Sequence, residues 1–238
     1  MKKPIGILGC ILFGTSLQVT AAQTIVADTA QSCGRFTSGA EYIDITLVMD
    51  LEDREIQMRV PQEFLEDAWN RQENVRMTAF AFRSMIDTFE PVKRSETPHL
   101  NFEYTPFLIT DYVNLEVLAE LDLDSASPGQ ASPWQPLADY SIQPFQFGLE
   151  EVIPNYPEEL QENVYLHRGL DGEIDTVTSC SVIGTVAYPG CSQYSRTQSG
   201  VDLKFSYRLK YLPIWQEIQN NIHTFIECAI DEVTQERL

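Results

Sequence analysis

The sequence predicts an α+β fold: antiparallel sheet meanders with helices packed on one face, in two halves of similar pattern. Three observations carry this. Strictly alternating apolar segments occur on both sides of a Ser/Pro/Gly-rich stretch in mid-chain. Each half then passes a proline, Pro61 or Pro213, into a segment with apolar residues at helical spacing. Each of those segments carries a Trp, Trp69 or Trp215, on its inner face. Period-two alternation marks half-buried strands, and a 3.6-residue period marks an amphipathic helix. Strands that run together before a helix, rather than a regular β-α-β rhythm, indicate antiparallel sheet.

The chain opens MKKPIGILGCILFGTSLQVTAAQT. Lys2 and Lys3 form a positive start, Ile5 to Leu17 is apolar but short for a bilayer, and Val19 to Ala22 supplies small residues for cleavage. Residues 1–22 therefore read as a signal peptide, and the expected destination is the periplasm. Ile7 to Cys10 also resembles a lipobox, so lipidation at Cys10 is the alternative. No later stretch approaches the roughly 18 apolar residues of a spanning helix, so stable membrane insertion is not expected.

Residues 23–124 are expected to form an N-terminal α+β half, 125–160 a loop or linker region, and 161–238 a C-terminal half that can share one domain with the first. In the first half, Ile43, Ile45, Leu47 and Met49 alternate with Asp44, Thr46 and Val48, and Ile56, Met58 and Val60 alternate with Gln57 and Arg59. These two runs predict a hairpin turning at residues 50–53. Pro61 fits the first position of a helix running to about Gln72. TAFAFRSMIDTF predicts a third strand. Residues 107–123 read as strand in front and as strand or helix behind. Asp124 to Pro136 reads as a long exposed loop, and 138–163, with three prolines, as irregular.

In the second half, Asp171-Gly172 between apolar runs predicts a two-residue hairpin. VDLKFSYRL alternates as a strand. Beyond Pro213, Trp215, Ile218, Ile222, Phe225, Ile226, Ala229, Ile230 and Val233 form one apolar helical stripe.

The chain carries 16 basic against 35 acidic side chains, a formal charge of −19. Losing Lys2 and Lys3 makes it more negative. Such a surface repels phosphates and anionic lipid, so nucleic acid is excluded as a partner, and it attracts a basic protein. With Cys10 in the leader, Cys33, Cys180, Cys191 and Cys228 remain. An even count in an exported chain indicates disulfides. Of the three possible pairings, Cys180–Cys191 and Cys33–Cys228 are favoured, the first closing a short loop and the second tying the N-terminal segment to the last helix. Neither the C-x₂₋₄-C spacing of zinc nor the C-x-x-C of a redox site is present.

His99, His167 and His223 lie too far apart in sequence for a helical metal pair, and there is no nucleophile elbow, dinucleotide fingerprint or phosphate loop. Asp122-Leu123-Asp124 begins like a calcium loop, but Ala126 and Ser127 stand where an oxygen ligand and a glycine belong. No catalytic residue, metal or cofactor is therefore expected. Trp134 lies in the mid-chain loop where no periodic pattern buries it. It, Asp122 and Asp124 are the candidate partner contacts.

The Cys-flanked hairpin SCSVIGTVAYPGCSQY, the strand LKFSYRL and the helix opening LPIWQEIQNNI together resemble periplasmic immunity proteins of type VI secretion toxin–immunity pairs. The likeness lies mainly in residues 174–230. It implies a non-enzymatic inhibitor that occludes a toxin with a basic or polar cleft. The alternatives are a non-catalytic envelope binding or structural module and a hydrolase of unrecognised type.

Overall fold

A computed structural model describes residues 33–34, 36, 40–66, 71–99, 101–126, 135–154 and 160–235. The leader with Cys10, and Trp69 and Trp134, lie outside them. Ile43, Ile45, Leu47 and Met49 point one way from β1 (Tyr42–Met49), and Ile56, Met58 and Val60 point the same way from β2 (Arg54–Pro61). The two pair antiparallel as predicted. β3 (Val75–Met77) joins β1 in parallel and completes a three-stranded sheet in the order β2-β1-β3.

The remaining strands form one antiparallel sheet. They are β4 (Ala79–Met85), β5 (Tyr104–Thr110), β6 (Ser141–Pro144), β7 (Glu150–Ile153), β8 (Glu162–Arg168), β9 (Ile174–Ser181), β10 (Gly190–Arg196) and β11 (Asp202–Arg208). Their order is β4-β5-β11-β10-β9-β8-β7-β6. The pairing of Phe107 with Phe205 at the β5–β11 contact joins strands from either side of the mid-chain stretch in one sheet.

Two long helices lie on this sheet, and they lie on opposite faces. α1 (Leu115–Ala126) packs Leu118, Ala119, Leu123 and Ala126 onto Val164, Leu166, Val177 and Tyr194. α2 (Trp215–Gln235) packs Trp215, Ile218, Ile222, Phe225 and Ile226 with Leu203, Phe205 and Tyr207, and the small sheet joins the same core. Val164, Val177 and Tyr194 alternate with Tyr165, Thr178 and Gln193 along their strands, so the two sets face opposite ways. The expectation of helices on one face is thereby corrected. One face cannot hold both, because α2 and the three-stranded sheet already cover it.

Three other expectations change. The helix after Pro61 is only a short 3-10 turn, Gln62–Phe64, because Leu65 turns extended and bridges Phe82. Among the described residues of 138–163, β6 and β7 take the place of the irregular structure expected. Pro144 is tolerated because β6 is an edge strand, and Pro154 follows the end of β7. The turn after β8 is longer than two residues: Arg168 pairs with Ile174, and the Gly169 N–H donates to the Glu173 carbonyl at 2.9 Å.

Cys180 and Cys191 sit directly opposite on β9 and β10 and are linked, with Cα atoms 4.0 Å apart. Cys33 is linked to Cys228 on α2.

Candidate partner-binding surface

The strands place the exposed chemistry at the two ends of the large sheet. One end is an acidic groove of about 1020 Å³ between the start of α1 and the β8–β9 turn. Its lining includes Glu116, Asp171, Glu173, Asp175 and Asp202, with Arg168 and Arg196 as counter-charges. Leu170 stands fully exposed on its lip. His167 on β8 meets Asp175 on β9, Nδ1 to Oδ1 2.6 Å, and its ring lies edge-on to Trp215.

Beside the groove an ion network fastens the small sheet to the large one. Glu52 accepts from both Arg54 and Arg196, Arg196 reaches Asp202 at 3.7 Å, and Asp202 accepts the Tyr112 N–H at 3.1 Å. Burial raises the pKa of Asp202 above the usual carboxylate range. The turn at Gly200 has φ +81°, and a Cβ there would lie 2.7 Å from the Arg54 guanidinium. Only glycine lets Arg54 reach the carbonyls of Ser199 and Gly200. Glu52, Asp111 and Asp202 bring carboxylate oxygens within 4.8 Å of one another, a spacing that could hold a cation. Arg54 and Arg196 offset part of this charge through Glu52 and Asp202.

At the other end of the sheet the β9–β10 loop, 182–189, projects from the stapled pair. From Thr176 to Ser195 the chain has no charged residue, in a molecule that is 21% charged. Ile183 is 80% exposed, Tyr188 67% and Val186 48%. Phe102, before β5, stands beside Tyr188 with ring centroids 5.8 Å apart. The Arg208 guanidinium lies over both rings, at 4.3 and 4.7 Å.

Of the residues named from sequence, Trp134 lies outside the described residues. Asp122 and Asp124 stand on α1, not in a loop, because the helix runs on to Ala126. Asp124 is exposed. The Asp122 carboxyl is partly buried, and its Oδ2 has no hydrogen-bond partner. Burial, with repulsion from Glu162 only partly offset by Lys204, raises its pKa to about 6. Because the folded value lies above the unfolded one, this group's contribution is fully present below about pH 4 and lost as pH rises through about 6. Asp122→Asn should therefore be more stable than the wild type at pH 8, by up to about 2–3 kcal/mol, with the gain gone at pH 4. Urea denaturation at both values checks this; an equal difference at the two would contradict it.

Thr176, Gln193 and Ser195 meet Gln219 and His223 of α2 in a partly buried polar seam, and the Tyr207 hydroxyl donates to Gln193 behind it. Ser195 Oγ lies 2.9 Å from His223 Nε2. This is nucleophile–base distance, but Ser195 is 1% exposed and covered by α2. Burial also lowers the His223 pKa to about 4. The pair is a strut between helix and sheet rather than a reaction centre. The Arg208 cluster escaped sequence reading because its three residues lie far apart in the chain. The uncharged run around the disulfide was the available signal.

No protein-family model matches the chain, and no curated protein is significantly similar in sequence. Solved structures do match. An immunity protein of the Stenotrophomonas maltophilia type IV secretion system superposes with a TM-score of 0.53 at 15% identity, over 82% of this chain and 97% of that one. The two chains share a fold. An iron-regulated outer membrane lipoprotein of Neisseria meningitidis, FrpD, is a weaker match, with a TM-score of 0.45 at 11% identity over 79% and 93%. The first neighbour belongs to a type IV system, whereas the sequence resemblance pointed to type VI. At 15% identity it carries over the architecture and no binding residue.

Proposed function

We propose that this chain is an exported immunity protein that binds a toxin acting in the periplasm and blocks it by occlusion. The observation that carries the reading is the fold shared with a secretion-system immunity protein over nearly all of that protein. The two disulfides support it, since such links persist in oxidising compartments. So does the burial of Ser195 beneath α2, which withholds the hydroxyl of the Ser195–His223 pair from substrate. The sequence resemblance and the fold neighbour point to different delivery systems. Of the three contacts named from sequence, Asp124 and Trp134 stay in the proposal, and Asp122 is assigned to stability.

The role has a direct test in cells. The candidate toxin is sought as a secreted protein encoded by a gene next to this one, and it is expressed with an export signal, with and without this chain. The full chain should restore growth, and a version lacking residues 1–22 should not. Growth arrest unrelieved by the full chain would remove the reading. Net charge adds a kinetic expectation. If the toxin is basic, association should slow at least several-fold between about 50 and 300 mM salt, with dissociation little changed. Stopped-flow mixing measures both rates.

A further inference from the structure

We infer that the stapled loop 182–189, with Phe102 and Arg208, enters the toxin, and that it fits a cleft with apolar walls and a carboxylate. The inference rests on the inhibitor reading and specifies its contact. The loop is the place where an otherwise strongly acidic chain presents apolar side chains with no acid among them. Ile183, Val186 and Tyr188 are exposed to degrees that the fold itself does not require, and clusters of this kind mark interaction sites.

The loop is also rigid before it meets anything. Its base is the Cys180–Cys191 link. The Val182 N–H donates to the Gln161 carbonyl at 2.8 Å, the Thr185 Oγ to the Val182 carbonyl at 2.7 Å, and the Leu209 N–H to the Pro189 carbonyl at 3.1 Å. Gly184, at φ +96°, supplies the left-handed residue that this turn needs. A loop fixed in this way loses little entropy on binding.

Arg208 specifies the partner's charge. Among the described residues no carboxylate lies within ion-pair distance of it, although acids outnumber bases about two to one in the chain. Lys210, two residues on, is matched by Glu103 at 3.7 Å. The Phe102 and Tyr188 rings lie against the Arg208 guanidinium, and a carboxylate is the group that its N–H donors would pair with. A basic cleft would repel this tip.

The test measures binding of the purified neighbouring-gene protein to immobilised variants. Ile183→Ser, which alters only an exposed side chain, should raise Kd about 10-fold. Tyr188→Ala should raise it about 30-fold or more, mainly through faster dissociation. Arg208→Ala should cost about 10-fold, and Arg208→Lys should recover little of it, because a lysine cannot form the flat two-pronged contact. All variants should melt as the wild type does. Wild-type dissociation rates in all tip variants would overturn the inference while leaving the inhibitor reading in place. So would losses confined to Asp171→Asn with Glu173→Gln at the groove. Dimerisation of the chain alone that Ile183→Ser abolishes would assign the tip to a second copy and also overturn it. A wild-type chain that does not bind removes both.

Discussion

Replacing Phe225 by alanine is expected to cost the fold about 4 kcal/mol. Phe225 is 1% exposed on the inner face of α2. Its ring lies within 4.7–5.8 Å of the ring centroids of Phe36, Phe64, Phe82, Phe89 and Phe107. Those five rings come from the N-terminal arm, the segments flanking β2 and β4, and the β4 and β5 strands themselves. The residue is thus the point where α2, the arm and the large sheet meet. Truncation leaves a cavity that five bulky rings cannot close without shifting strands, and it removes several edge-on contacts of about 0.5–1.5 kcal/mol each. Phe225→Leu should cost roughly half as much, since most of the volume stays. Urea midpoints for the two variants check this ordering. A loss below about 1.5 kcal/mol for the alanine would mean that this core is not packed as described.

The second large effect concerns the Cys33–Cys228 link, which closes a loop of sequence separation 195. Chain-entropy reasoning gives such a link about 5 kcal/mol, as an upper figure. The double change Cys33→Ala with Cys228→Ala should release the arm and with it Phe36, which packs against Phe89 as well as Phe225. The shorter Cys180–Cys191 loop is worth about 3 kcal/mol by the same reasoning. Removing it should disturb the tip more than the core. Denaturation of both double-alanine variants under oxidising conditions separates the two. Equal stability of the Cys33/Cys228 variant and the wild type would show that the arm holds without its staple.

Local pattern made β1, β2, β11 and α2 legible in the sequence. Ile43 to Met49 and Leu203 to Tyr207 alternate cleanly, and the Trp215–Ile226 stripe has a single face. α1 was only half legible. It buries small residues, Ala119 and Ala126, beside Leu118 and Leu123, and shows acids elsewhere, so its periodicity is weak. β6 and β7 were hidden by Pro144 and Pro154, which mark loops in a sequence; Pro144 is compatible with the edge strand β6, and Pro154 lies just past the end of β7. That α1 and α2 cover opposite faces follows from which strands neighbour β11, a non-local outcome that no window of residues contains. The candidate surface was legible in part. The staple was readable from cysteine arithmetic. The convergence of Phe102, Tyr188 and Arg208 depends on the register of β5, β10 and β11.

The central claim is that this chain binds one toxin tightly and silences it. The most direct measurement is a calorimetric titration of the purified, disulfide-bonded chain into the purified neighbouring-gene protein, with toxin activity read on the same samples. The account predicts a one-to-one complex with Kd of about 10 nM or below, and activity that falls in step with occupancy. Absence of heat and of inhibition at about 10 μM of each protein would contradict it.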